Sequence, residues 1–256
     1  MVDIHSHILP GLDDGAKTLE ESVAMLRMAA QDGTTDIVAT PHSDLQYSFD
    51  PDLVTQKIAE LEEAAGGVIA IHRGCDFHLH YDNIQDALAN PAKYAINHRR
   101  YILVEFSDLL IARTTDEVFF RMLAAGMTPI ITHPERNPLL QRRLEQLEAW
   151  VAQGILLQVT AQSFLGQWGR EAKAFADVLM KRNLVHFVAS DAHDAARRPP
   201  LLGEACRYVA GRWGERTAQA LFVTNPKAAL SGDPVDLDLP APEPEAPPKR
   251  WYEFWR

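Results

Sequence analysis

The chain has only two cysteines, Cys75 and Cys206, too few for a disulfide framework or a cysteine-rich zinc site. It has no apolar run near the roughly 18 residues that suggest a membrane span, and no basic-then-apolar opening of the secretory kind. Basic charge is scarce as well. Lys and Arg number 25 against 35 Asp and Glu, a formal net charge of -10, which disfavours nonspecific adhesion to nucleic acid or an anionic membrane. These deficits predict a soluble, cytoplasmic protein with no nucleic-acid partner and no stable membrane insertion. What remains is an ordinary globular composition of 46% apolar and 23% charged residues over 256 positions, enough for one large α/β domain.

Amphipathic helices alternate with short apolar strands along most of the chain. LEESVAMLRMAAQDG and PDLVTQKIAELEEAAGG carry helical spacing and end on glycine, a common helix stop. Seven strand candidates fall near 2–7, 35–40, 68–75, 101–106, 128–132, 155–160 and 185–190. Strands separated by helices pair in parallel, and runs such as YILV and TPIIT suit a sheet covered by helices. The spacing favours a closed or nearly closed β/α barrel over an open doubly wound sheet. From residue 231 the composition changes to a proline-rich stretch, so residues 1–230 are expected to form the domain and 231–256 a flexible tail.

In parallel βα folds, reactive side chains gather where strands end and loops begin. Here the first pass delivers His5, His7 and Asp14; the second, His42; the third, Asp76; the fourth, Glu105; the fifth, His133; and the seventh, Asp191 and His193. Imidazoles and carboxylates without thiolates suit zinc, manganese or iron(II). Nine donors exceed the needs of one ion, so two or three ions sharing carboxylates are expected, with Glu105 the expected bridge from its central place in strand order. Clustered cations lower the pKa of bound water and stabilise an anionic transition state, which makes phosphate-ester hydrolysis by hydroxide attack the natural reaction. Arg136 and Arg198 follow His133 and His193 on loops at the same end, where guanidinium forks bind phosphate oxygens; Arg197 competes with Arg198.

HSHILPGLDDG, ATPH, ILVEF, THPERN and SDAHD followed by RPP resemble the bacterial protein-tyrosine phosphatases of the polymerase and histidinol phosphatase (PHP) superfamily, encoded with polysaccharide-export tyrosine kinases. The resemblance implies a distorted seven-stranded β/α barrel, a trinuclear and often manganese-dependent site on the same nine residues, and Arg136 and Arg198 as phosphate-binding groups. It also implies a tyrosine-phosphorylated protein tail as substrate, with a bacterial tyrosine autokinase as a candidate partner. Two departures stand out: Asp76 replaces the usual Glu, and SDLQYSFD replaces further histidines after His42. Tyr47 and Phe49 in that segment either pack in the loop or flank a phosphotyrosine ring. The same donors could serve a histidinol-phosphate-type phosphatase, a nuclease, or a noncatalytic scaffold that binds a phosphorylated tail.

Other residues read as structural. His78 and His80 follow the third strand as loop residues, His186 has the wrong strand parity to join Asp191, and His72 and His98 belong to the surface or core. Cys206 and Arg212 match the Cys-x5-Arg spacing of thiol phosphatases, yet they lie in a helical pattern rather than a phosphate-wrapping loop. Trp251, Tyr252, Phe254 and Trp255 end the tail and could dock on a partner or on the site's mouth.

Overall fold

The computed structural model describes residues 1–235. Its strands are β1 (Val2–Ser6), β2 (Asp36–Ala39), β3 (His42–Ser43), β4 (Ala70–Arg73), β5 (Asp76–His78), β6 (Tyr101–Glu105), β7 (Thr128–Thr132), β8 (Leu156–Thr160) and β9 (Phe187–Ala189). They follow the seven expected passes, with the second divided into β2 and β3 and the third into β4 and β5. The strand pairs are parallel, as intervening helices require. The helices are α1 (Leu19–Gln31), α2 (Pro51–Ala65), α3 (Tyr81–Ala89), α4 (Thr115–Ala124), α5 (Leu144–Ala152), α6 (Ala161–Phe164), α7 (Gly169–Lys181), α8 (Gly203–Trp213), α9 (Glu215–Gln219) and α10 (Asn225–Ser231). Local chemistry sets their ends. Thr18 Oγ1 accepts the Glu21 N–H at 3.2 Å before α1, while α2 starts on Asp50 and Pro51 and stops at Gly66, whose φ is 70°.

Two sheets result, in the orders β1-β2-β4 and β3-β5-β6-β7-β8-β9. Neither closes on itself, so the expected barrel is not one continuous ladder. At the seam between β9 and β1, the Asp191 N–H donates to His5 O at 2.9 Å and the His7 N–H to Ala192 O at 2.7 Å. The divided passes have a local cause. Pro41 has no N–H to donate, and a Cβ on Gly74 would lie 2.8 Å from Val38 Cγ1 and 3.0 Å from Thr40 Cγ2, so only glycine fits this close approach. Both passes change sheets together, held by Gly74 N–H to Ala39 O (2.9 Å) and Asp76 N–H to Pro41 O (3.1 Å). His42 thereby pairs in register with Asp76.

The helices pack over a large core that includes Met25, Leu26, Phe119, Trp150, Leu179 and Val209. A smaller cluster, including Ile4, Val38, Leu103, Ile130, Leu156 and Phe187, fills the space between the strands. Strand parity continues upward from that plug, from Leu103 to Glu105, Leu156 to Gln158, and Phe187 to Asp191. β1 shifts register between Asp3 and Ser6, which brings His5 to the same interior. The domain extends slightly past the expected boundary, because Tyr101 Oη donates to Asp233 O at 2.6 Å. Residues 236–256, with most of the expected tail and its aromatic end, lie outside the described residues. Among the described residues no helix is long and apolar enough to cross a membrane.

Candidate metal centre

The turn after β1 sets the first half of the site. A Cβ on Gly15 would lie 2.1 Å from His7 O, so glycine alone lets the chain fold back over the strand it has just left. That return places Asp13 Oδ2 2.7 Å from His7 Nδ1; the same oxygen accepts the His42 N–H at 3.1 Å. His5 is fixed similarly, donating from Nδ1 to Gln158 Oε1 at 3.0 Å. With their Nδ1 atoms engaged, both rings point Nε2 inward, 3.3 Å apart. A hydrogen bond at one ring nitrogen orients the other as a ligand.

Three overlapping donor groups follow: His7, Asp14, His42 and His193; His5, His7 and Asp76; and His42, Asp76 and Glu105. The ligand atoms within each group lie within 4.8 Å of one another. Asp76 Oδ2 is 3.4 Å from His5 Nε2 and 3.3 Å from His42 Nδ1, while Asp14 Oδ1 is 3.4 Å from His42 and 3.3 Å from His193. Both Asp76 oxygens and His42 Nδ1 are buried without a hydrogen-bond partner. Buried donors of this kind are costly unless a cation uses them, so the residues present fit divalent ions. Glu105, expected to bridge from strand order, belongs to one group, whereas Asp76 belongs to two. The divided third pass sets the shorter carboxylate, Asp76, beside His42.

His133 and Asp191 border these groups without completing one. His133 Nε2 is 3.6 Å from Glu105 Oε1, and Asp191 Oδ1 is 3.4 Å from both His5 Nε2 and His7 Nε2. Their φ angles of 34° and 51° lie in the left-handed region, where non-glycine residues are strained and cluster at functional sites. Charge is strongly coupled across the cluster. Burial opposes ionisation of Asp76, but the charges of His5 and His42 hold its carboxyl well below the usual range. Burial would lower His42, yet the neighbouring Asp14 and Asp76 carboxylates push it up to about 12. Glu105 is pushed up to about 9 by burial and by the negative charge of Asp76.

Arg136 and Arg198 both pair with Asp191 Oδ2, Arg198 at 2.6 Å. Trp168 backs both: its ring centre is 3.7 Å from the Arg136 guanidinium carbon and 5.2 Å from that of Arg198. Such stacking holds planar cations while leaving their edges free. Arg198 Nε is buried and unpartnered, and Arg198 lines a cavity of about 180 Å3 with Trp168, Ser190 and Arg197. An anion placed there would meet a convergent cationic fork.

The other sequence expectations divide. Tyr47 reaches the rim, its ring stacked 6.1 Å from that of His42. Phe49 does not: it is 8% exposed, packed on Tyr94 at 5.3 Å and beneath Arg73, so it is a core residue. His78, expected as a loop residue, closes β5 with Nε2 3.7 Å from Glu105 Oε2. His186 is buried and accepts the Leu157 N–H at 3.0 Å; His72 pairs with Asp36 and His98 meets Arg73. Cys206 and Arg212 lie on α8, with the thiol pushed up by burial and the arginine 3.7 Å from Asp177, an arrangement unlike a phosphate loop. Gln158, Asp13 and Trp168 were not anticipated as site residues. A glutamine inside the apolar strand ILLQVTAQ was the available signal; Trp168, in a loop after a pass without ligands, offered none.

The family model described as capsular polysaccharide synthesis, CpsB/CapC, matches residues 1–231. CapC of Staphylococcus aureus is 33% identical over 98% of this chain and 99% of its own, and the tyrosine-protein phosphatase YwqE of Bacillus subtilis is 35% identical over 77% and 79%. A solved structure from the pair YwqE of Bacillus subtilis and CpsB of Streptococcus pneumoniae, described as unique metal-dependent tyrosine phosphatases, superimposes with a TM-score of 0.87 at 30% identity, covering 95% of this chain and 99% of that one.

Proposed function

The chain belongs to the CpsB/CapC family of capsular polysaccharide synthesis, and we propose that it is a metal-dependent protein-tyrosine phosphatase. The observation that carries this reading is the set of overlapping donor groups around Asp76, bordered by two arginines on Asp191. His5, His7, Asp14, His42, Asp76, Glu105 and His193 would hold two to three divalent ions, with His133 and Asp191 completing the set; manganese is the preferred ion, and zinc or iron(II) would fit the same donors. When bound, such ions supply water acidified to near neutral pH and offset the charge of the phosphate.

The chain's own groups do the rest. Arg136 and Arg198, held on edge by Trp168, orient the phosphate through two-point hydrogen bonds, and the unpartnered Arg198 Nε is a donor for one of its oxygens. Asp13 and Gln158 keep the His7 and His5 rings from rotating. A tyrosyl leaving group, with an ordinary pKa of about 10, departs with little help from a general acid. We read the two sheets as a distorted barrel of seven passes offset at Pro41 and Gly74. The substrate is a tyrosine-phosphorylated protein tail, with a bacterial tyrosine autokinase as the partner, acting in the cytoplasm.

The test is a panel of phosphotyrosine peptide, histidinol phosphate and single-stranded DNA, assayed with manganese and after chelation. Phosphotyrosine turnover that chelation abolishes and Cys206→Ser spares is expected. Preference for either other substrate, or peptide binding without phosphate release, would overturn the assignment.

A further inference from the structure

Beside the centre lies a groove that the phosphatase chemistry does not use. It has a volume of about 490 Å3, and its lining includes Leu45, His78, Ile84, Phe106, Leu110 and Val118. That volume lies within the roughly 300–1,000 Å3 typical of ligand sites. The groove lies beside the centre. His78 lines it and also lies 3.7 Å from Glu105, Phe106 directly follows Glu105, and Leu45 sits in the loop leaving β3, which carries His42. Its walls therefore rise from the strand ends that supply His42, Asp76 and Glu105.

Its mouth is apolar and wet. Leu45 is 89% and Leu110 70% exposed, and the adjoining Leu109 is 91% exposed. The one carboxylate of the lining, Asp44, has its Oδ1 occupied by the Gln46 and Tyr47 N–H groups at 2.7 Å each. Leucines gathered at a groove mouth mark an interaction surface.

We propose that this groove receives a large apolar side chain of the phosphotyrosine-bearing polypeptide, within about three residues of the phosphotyrosine, and so sets which tyrosines are accepted. The inference rests on the phosphatase reading. Because the groove lies beside the centre at Glu105, its occupant belongs to the molecule whose phosphate is bound there. Neighbouring residues of an extended chain are spaced at about 3.3–3.6 Å each, so a residue three positions away reaches about 10 Å from the phosphotyrosine. A small phosphomonoester has no group to place there.

The experiment uses the full chain, loaded with manganese, and phosphotyrosine peptides in a serine and glycine background with one leucine moved from three residues before to three after the phosphotyrosine. Peptide affinity is read by fluorescence anisotropy and turnover by phosphate release, with a small aryl phosphate as the control substrate. At one or two leucine positions affinity and kcat/KM are expected to rise about tenfold over the leucine-free peptide, the scale of one apolar group in a pocket. The double substitution Leu45→Ser and Leu110→Ser, on exposed side chains that do not threaten folding, is expected to reduce that gain below about twofold and to leave aryl phosphate turnover unchanged. Equal affinity for all peptides, or a gain that survives the substitutions, overturns the proposal. So does a dimer in sedimentation that the substitutions dissociate, which would assign the groove to a second copy. Failure to turn over the aryl phosphate counts against the phosphatase reading instead, while anisotropy still decides the groove.

Discussion

The floor and the rim of the metal centre are built differently. On the floor, His5, His7 and Asp191 are each held by a second group, Gln158, Asp13 and the arginine pair respectively. At the rim, Asp14 is 51% exposed and is placed mainly by the Gly15 turn, while Glu105 lies between His42, His78 and His133 at 3.5–3.7 Å. A ligand with its own buried partner keeps its geometry whether or not it is engaged. One without such a partner can adjust to substrate. On the proposed reading the floor would fix the ions' positions, and the rim and the neighbouring groove would be where specificity varies.

The largest loss is expected from Asp191→Ala, which removes a floor carboxylate and frees both arginines. Turnover of a small aryl phosphate is expected to fall roughly 10^3-fold or more, and near-normal turnover with full metal content would remove Asp191 from the floor. Arg198→Lys keeps the charge but loses the fork and the stack on Trp168. A fall of about 10^2-fold in kcat/KM is expected, read by steady-state kinetics; a change under twofold would mean that the fork does not meet the phosphate. Asp13→Ala tests support rather than ligation. Metal affinity should weaken by roughly 10- to 100-fold, measured by competition with a fluorescent chelator, and excess manganese should restore most of the rate.

The smallest effect on turnover is expected from His186, which is on the same pass as Asp191 but turned into the core. Burial pushes its pKa down to about 4, against an ordinary value near 6.5. The unfolded chain therefore binds the proton first as pH falls. Stability from this group is complete above about pH 6.5 and is lost as pH drops toward 4, a decline of about 2 kcal/mol between pH 7 and 5. His186→Asn, which retains an acceptor for the Leu157 N–H, should flatten that part of a denaturation profile. An unchanged slope would show that the native state protonates this histidine freely.

Strand parity and the residues at strand ends are local properties, so the passes that frame the site and the residues now gathered at it were legible in the sequence. Parity also placed His186 in the core, because a side chain's face is fixed by counting from its neighbours. The choice of Glu105 as the shared carboxylate followed strand order, which assumes equal passes. The division of the second and third passes at Pro41 and Gly74 set Asp76 beside His42, so that it falls in two donor groups and Glu105 in one. His78 was read as a loop residue, and Phe49 was left between loop packing and the substrate rim, for a related reason: a loop's sequence does not tell which of its side chains turns inward. Gly15 and Gly74 were visible as letters, but their necessity appears only when His7 O and Val38 Cγ1 stand where a Cβ would go.

The sequence alone determined that imidazoles and carboxylates would collect at one end of a parallel α/β fold, because alternation and strand-end placement depend on near neighbours. Only the tertiary structure decided which carboxylate is shared, which groups hold the ligands in place, that Trp168 lies across both arginines, and that an apolar groove opens beside Glu105. Apart from the short-range Asp13–His7 and Arg198–Asp191 pairs, these depend on contacts between segments tens to more than a hundred residues apart, whose distances are set by the packing of the whole chain.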